Sequence, residues 1–367
     1  MRFRRARTLL ADDHQVAAVD GGWVTSMRVT LPSHAPRRLV LRLHDESATT
    51  DGQTPIDRSA TPFLPMLTML AGAIDVPLRI DAAVDAVALD GARRAAALMA
   101  GWFGWPHLTV SARTTRSAPA TPAQGTALFF SRGLDSMWSL FCGGHAVDQL
   151  IGIDWEDAPL ASDGTRAIMR GTTAAAEDLG LPLHRVSSNY RQFSDDVIAW
   201  DEAVGPTLAS FGLLLAPVAG QVIISATLPG HLLRPKGTHA HLDPLWSSSA
   251  VQILHVGGEL GRCDKAAAVA DEPFVQRWLK VCWQRAGDGN CGECPKCQMT
   301  MSNFAAVGRL DAVAPIFDAP LSADVVRTFG AVHVAPENLV DIADRMPPGD
   351  LRDAWMSLAT LNWNDLG

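Results

Sequence analysis

Four cysteines, Cys282, Cys291, Cys294 and Cys297, crowd into one short stretch with the spacing C-x8-C-x2-C-x2-C. Two C-x2-C steps turn tightly enough to present three sulfurs to one centre, and Gly287-Asp288-Gly289 lets Cys282 fold back as the fourth. Four thiolates with no open position predict a closed, structural Zn²⁺ site. An iron–sulfur cluster uses a related spacing and stays open as the alternative. A second stretch carries a different chemistry. The apolar run Thr126 to Phe130 empties into Ser131-Arg132-Gly133-Leu134-Asp135-Ser136, and Met137 to Cys142 reads as a helix. Amides of such a loop and of the first helical turn converge, the helix dipole adds positive potential, and serine hydroxyls donate. That is an anion site suited to a phosphate chain.

Other side chains could serve these centres. His239, His241 and Asp243 could bind substrate, shuttle a proton to an entering amine or hold a second metal; equally, they form a polar loop closed by an Asp-Pro turn. Arg262 and Lys265 could face a triphosphate or a developing oxyanion, or be a solvated helix start. Cys142 and Cys263 lie outside the metal spacing and read as core residues, with a thiol relay at Cys263 left open. Trp278 and Trp283 read as packing.

The elements that must position these residues fall into two rhythms. Up to about Glu46 the chain alternates apolar and polar residues, as in Trp23–Val29 and Arg38–Leu43, which predicts antiparallel strands with one wet face. Asp45 to Thr61 reads as a loop, Pro77–Ile80 as a strand, Val87–Phe103 as a helix and Ser117–Gly125 as a linker. Beyond it, strands at Ala127–Phe130, Gln149–Ile153, His184–Ser187 and Gln221–Ala226 alternate with helices near Met137–Cys142, Thr165–Leu179 and Thr207–Val218. This alternation predicts an α/β fold, a doubly wound and mainly parallel sheet. Ligands of such sheets gather at the carboxyl ends of the strands. The expected organisation is an α+β domain over 1–120, the anion-binding α/β domain with its zinc-stapled subregion over 121–310, and a helical tail over 311–367.

The loop Ser131 to Ser136 resembles the pyrophosphate loop (PP-loop) of the ATP pyrophosphatase superfamily, Ser-Gly-Gly-x-Asp-Ser. Ser131, Gly133, Asp135 and Ser136 are in register, and Arg132 stands where that superfamily has its first glycine. The cysteine pattern, with its Cys291-Gly292-Glu293-Cys294 core, is similar to that of the 7-cyano-7-deazaguanine synthase branch, and the resemblance spans residues 125 to 310. It implies a HUP/PP-loop type sheet and cleavage of ATP to AMP and pyrophosphate, with adenylation of a carboxylate or amide oxygen and displacement of AMP by ammonia or another amine. It places ATP on Phe130, Ser131, Arg132, Gly133, Leu134, Asp135 and Ser136, with Ile153 and Asp154 beside it, and Mg²⁺ on Asp135. Ser131, Arg132, Asp135 and Lys265 would act by positioning and charge neutralisation. The chain departs from the pattern at Arg132, at Gln298-Met299-Thr300-Met301 where an arginine usually follows the last cysteine, and at Asp154-Trp155-Glu156 where Gly-Gln is usual. At Arg132 either backbone strain is compensated or the guanidinium reaches the pyrophosphate as an extra cation.

Composition limits the alternatives. The 367 residues carry a formal charge of −8, with 47% hydrophobic and 19% charged residues, which describes a globular protein with no basic coat for nucleic acid. The basic start, Arg2 to Arg7, runs into Asp12 without an apolar h-region, and no segment is apolar enough to span a bilayer. The expectation is a cytoplasmic ligase whose partners are ATP and an acceptor, either a small metabolite or a polypeptide selected by the first domain. A homodimer stays open. The rivals are sulfur transfer to a tRNA base and a non-catalytic nucleotide-binding protein.

Overall fold

The computed structural model describes residues 8–45, 54–116, 123–154, 163–285, 287–330 and 336–364. Most of the expected linker at Ser117–Gly125, part of the Asp45–Thr61 loop and Trp155–Pro159 lie outside the described residues. Strands β1 (Leu9–Val19), β2 (Gly22–Thr30), β3 (Arg37–His44), β4 (Leu78–Asp85) and β5 (Val110–Arg116) come from the first third of the chain. Strands β6 (Thr126–Phe129), β7 (Gln149–Ile153), β8 (Leu183–Ser188), β9 (Gln221–Ser225) and β10 (Gln252–Val256) follow. All ten form one mostly parallel sheet in the order β10-β9-β6-β7-β8-β3-β2-β1-β4-β5.

Burial follows the sequence pattern. β6 is buried along its whole length, as a central parallel strand covered on both faces must be. β3 instead alternates buried and half-buried positions. The two groups of strands meet where β3 pairs antiparallel with β8, Leu41 opposite Ser188 and Leu43 opposite Val186. From β8 to β10 the ladders are all parallel, and the order turns back on itself at β6, which pairs with β7 on one side and β9 on the other. The carboxyl end of β6 is therefore the switch point at which open α/β sheets bind ligands.

Helices α1 (Leu64–Ala73) and α2 (Ala86–Phe103) serve the first half. The second half adds α3 (Leu134–Phe141), α4 (Asp163–Leu179), α5 (Arg191–Ser194), α6 (Trp200–Leu214), α7 (Arg262–Val269), α8 (Pro273–Trp278) and α9 (Pro295–Ala306). The chain ends in α10 (Leu310–Val313), α11 (Ala323–Arg327), α12 (Pro336–Arg345) and α13 (Asp350–Asn364). One core cluster joins β1–β4 to α1, α2 and α6; a second joins β6, α3 and α4 to the cysteines; a third holds α12 and α13 against Cys263 and Met299. Trp355 Nε1 pins α13 by donating to Ser302 Oγ at 2.8 Å.

Two expected boundaries move. α3 begins at Leu134, because Gly133 takes the extended conformation of an N-cap. α6 starts at Trp200, well before the expected Thr207, and carries Pro206 inside it. Pro206 has no N–H for the carbonyl of Glu202. The preceding turn is held from outside, the Gly237 amide donating to the Asp201 carbonyl at 3.0 Å. No described helix is long and apolar enough to cross a membrane.

Candidate functional site

The loop between β6 and α3 has the form of a cradle braced by its own hydrogen bonds. The Gly133 amide donates to Ser131 Oγ at 3.3 Å, and Ser136 Oγ donates back to the Gly133 carbonyl at 3.0 Å. The two serine hydroxyls lie 3.3 Å apart. By helix geometry the first-turn amides of Leu134, Asp135 and Ser136 have no acceptor within α3. Phe130 is buried, and its amide donates to the Ile151 carbonyl of β7 at 2.9 Å, which fixes where the loop leaves the sheet.

Asp135 organises the cations around this cradle. Its Oδ1 accepts from Lys265 Nζ at 3.1 Å and its Oδ2 from Arg262 Nη2 at 3.0 Å, both on α7. Lys265 is fully buried, donates also to the Ala226 carbonyl at the end of β9 at 2.6 Å, and has Trp138 beneath its ammonium. Burial alone would push the Asp135 carboxyl up; the charges of Arg262 and Lys265 more than reverse this and hold it below the ordinary carboxylate value. Both carboxylate oxygens are thus occupied by cations, and Asp135 here fixes two positive groups beside a helix N-terminus. Lys236, on the loop after β9, feels the same charges. Its ammonium is held below the ordinary lysine value, first by burial and then by the neighbouring charges of Arg262 and Arg234 against the pull of Asp201 and Asp135.

Arg132 is elsewhere. Its φ of 60° is the left-handed backbone that the glycine of the resemblance would supply, and its side chain is buried, turned away from the cradle. The guanidinium donates to Thr172 Oγ1 at 3.3 Å, to the Ile168 carbonyl at 3.2 Å, and to both carboxylate oxygens of Asp288 in the cysteine loop. Ile153 and Asp154 lie at the end of β7, on the same edge as the cradle, where Asp154 accepts from Arg185 Nη2 at 2.9 Å.

His239, His241 and Asp243 form a network of their own. His239 Nδ1 accepts from the His241 amide at 2.9 Å, and the His239 ring packs on Trp102 of α2 with centroids 4.6 Å apart. Asp243 is fully buried, which pushes its carboxyl up, and its Oδ2 lies 2.7 Å from Nδ1 of His255 on β10. His255 Nε2 is buried without a hydrogen-bond partner. That pair orients an imidazole at the strand ends, in the manner of a carboxylate that fixes a histidine tautomer.

The four cysteines converge as spaced. Their sulfurs all lie within 4.8 Å of one another, with Cys291–Cys297 at 3.9 Å and Cys294–Cys282 at 4.0 Å. Four sulfurs bound tetrahedrally to a single ion at about 2.3 Å would stand about 3.8 Å apart. The donor set therefore fits one metal ion. Asn290 shapes the loop: its side-chain oxygen accepts from the amides of Val281 and Cys282 at 2.9 and 3.1 Å, and its nitrogen donates to the Leu279 carbonyl at 2.9 Å. Gly292 takes φ 78°, where an added Cβ would overlap the Ala319 carbonyl.

The remaining cysteines part company. Cys263 is buried and burial pushes its thiol up to about 12, while Cys142 caps the end of α3 and is exposed rather than core. Trp278 packs with Phe274 and donates to Asp178 at 2.8 Å, but Trp283 is exposed with Lys296 over its ring. Three residues of the site carry no sequence signal. Lys236 sits in an unpatterned Arg-Pro-Lys-Gly turn, Asp288 reads as part of a Gly-Asp-Gly turn, and His255 lies in a short strand distant from its partner in sequence. No family model, curated protein or solved structure matches this chain.

Proposed function

We propose that the chain is an AMP-forming, ATP-dependent ligase that adenylates a carboxylate or amide oxygen of an acceptor, after which ammonia or another amine bonds to the activated carbon and displaces AMP. The observation that carries this reading is the pairing of Asp135, on the first turn of α3, with Arg262 and Lys265 of α7 at the switch point of the sheet. The cradle amides and serines would take the phosphate chain, and Arg262, Lys265 and Lys236 would neutralise charge as it moves onto the leaving pyrophosphate. No protein nucleophile is needed, because alignment of the acceptor oxygen with the α-phosphate does most of the work. Mg²⁺ would arrive with the nucleotide, held by phosphate oxygens and water, since both oxygens of Asp135 are engaged. The four cysteines would hold a structural Zn²⁺, whose contribution is to fix the loop that carries Asp288. Sulfur transfer has less support, because the thiol next to Arg262 in sequence, Cys263, is buried, and burial pushes it up, away from the reactive thiolate.

Release of AMP and pyrophosphate from ATP, measured with panels of carboxylate and amide acceptors in the presence of ammonia, tests the proposal. Turnover that is lost in Asp135→Asn supports it. Tight ATP binding with no cleavage between the α- and β-phosphates under any acceptor would replace it with a binding module.

A further inference from the structure

We infer that Arg132 and Asp288 are a positioning pair through which the metal centre sets the shape of the phosphate cradle. The inference rests on the reading that the cysteines hold a metal and that the Ser131–Ser136 loop binds phosphate.

Arg132 is caught from two sides. Its backbone carbonyl accepts from the Lys280 amide at 3.0 Å, and its guanidinium grips the Asp288 carboxylate, with Nη1 to Oδ2 at 3.0 Å. Both partners belong to the cysteine loop. Lys280 lies two residues before Cys282, and Asp288 lies three before Cys291. The two strands of that loop are zipped together: Lys280 Nζ donates to the carbonyls of Gly289 at 2.6 Å and Gly287 at 3.3 Å, and Asn290 clamps Leu279, Val281 and Cys282. A metal on Cys282 and Cys291 closes the open end of this hairpin-like segment, and so fixes Asp288. On its other side Asp288 fits against Gly171 of α4, where any Cβ would overlap its carboxylate.

Arg132 holds a left-handed backbone that costs a non-glycine residue energy, and that backbone aims the next residues, Gly133 to Ser136, at the ligand. With its side chain 2% exposed and a carboxylate to meet its charge, the pair makes the conformation the favoured one. Loss of the metal frees Asp288, leaves a buried guanidinium without its counter-ion, and lets the cradle relax. Because linkage is reciprocal, an anion in the cradle should also tighten the protein's hold on the metal, which metal transfer to a competitor reads.

The test uses the metal-loaded full chain as wild type, as Asp288→Asn, which keeps the shape and removes the charge, and as Glu293→Gln, an exposed change in the same loop. Metal transfer to a chromogenic chelator is timed with and without inorganic pyrophosphate, and amide hydrogen exchange over 131–136 is followed before and after metal withdrawal. We expect pyrophosphate to slow metal transfer at least threefold in wild type and Glu293→Gln and not in Asp288→Asn, and exchange over 131–136 in wild type to rise at least tenfold without metal. Equal protection by pyrophosphate in Asp288→Asn, or unchanged exchange in chelated wild type, overturns the coupling. If pyrophosphate leaves wild-type metal transfer unaltered while exchange over 131–136 still rises on metal withdrawal, the coupling stands and the phosphate reading of the loop falls; if exchange is unchanged as well, the coupling falls. Should Asp288→Asn fail to fold, the same wild-type exchange measurement decides it.

Discussion

Replacing Asp135 by Asn removes the charge that Lys265 and Arg262 share while keeping an acceptor of the same shape. Lys265 is fully buried, with its ammonium hydrogen-bonded among the described residues to Asp135 and the Ala226 carbonyl, whereas the Arg262 side chain keeps 21% of its surface in water. Removing one partner of a buried pair costs about 3–5 kcal/mol because the other charge is left uncompensated. Retention of one acceptor and the partial hydration of Arg262 reduce this to about 2–4 kcal/mol. An unfolding entropy of about 2.1 cal/mol/K per residue over 367 residues makes that a fall in Tm of about 3–5 °C. Adding Lys265→Met deletes the stranded charge, so the double variant should recover at least half of the loss, about 1–2 kcal/mol, and the two substitutions should be non-additive. The pH dependence has a fixed sign. Asp135 titrates below 3.8 in the folded state, so its contribution is fully present above 3.8 and is lost only as pH falls through its lower folded value. The gap between wild type and Asp135→Asn in urea unfolding should therefore stay constant from pH 8 to pH 5. A variant as stable as wild type at pH 7, or a gap that closes between pH 7 and pH 5, would refute the assignment of Asp135 as the ionised counter-ion of a buried lysine.

Three further outcomes are expected. The purified protein should carry one zinc per chain and be colourless, and chelation or Cys297→Ser should lower its Tm; visible absorption from a brown protein would instead mean an iron–sulfur centre. Gly205→Ala should destabilise by about 1–3 kcal/mol in urea unfolding, because its Cβ would overlap the Gly237 carbonyl oxygen across the joint between α6 and the loop after β9; a change below about 0.5 kcal/mol would show that the joint gives way easily. Pyrophosphate affinity, measured by calorimetry from pH 7 to 10, should fall as Lys236 loses its proton, beginning below the ordinary lysine value of 10.5, and Lys236→Met should flatten the profile; an unchanged profile would place Lys236 outside the anion site.

The parts of the site built from contiguous residues were legible in the sequence. Thr126 to Ser136 announces strand, loop and helix through a switch from apolar to small residues, and the cysteine spacing brings four sulfurs to one point. What escaped was built by pairing across distance. β10, Gln-Ile-Leu-His-Val, is too mixed to read as a strand, since it lies at the sheet edge with Gln252 exposed and His255 reserved for Asp243. The junction of β3 with β8 is made by backbone hydrogen bonds, which leave little mark on side-chain pattern. The helix expected near Thr207–Val218 starts at Trp200 and runs through Pro206, its preceding turn held by the Gly237 amide on the distant loop. Arg132 read as a break in a motif because the motif records a glycine; its reason for being tolerated, Asp288, is far along the chain.

The first third of the chain bears on the site through the loop that follows β9. α2 supplies Trp102 to the His239 ring, and its Gly91 lets the Leu245 carbonyl come closer than any Cβ would permit. Asp85, which caps α2 by accepting from the Ala88 amide at 3.0 Å, also accepts from the Ser249 amide at 3.1 Å, so the helix start and the entry to β10 share one carboxylate. α6 holds the same loop from the other side through Gly205 and the Asp201–Gly237 hydrogen bond. The segment bearing Lys236, His239 and Asp243 is thus clamped between elements of both halves. Residues 85–103 thus form one wall against which this loop packs. Cutting the chain near residue 120 would strip this wall and bare the β8 edge now covered by β3, leaving unpaired backbone where the sheet is continuous.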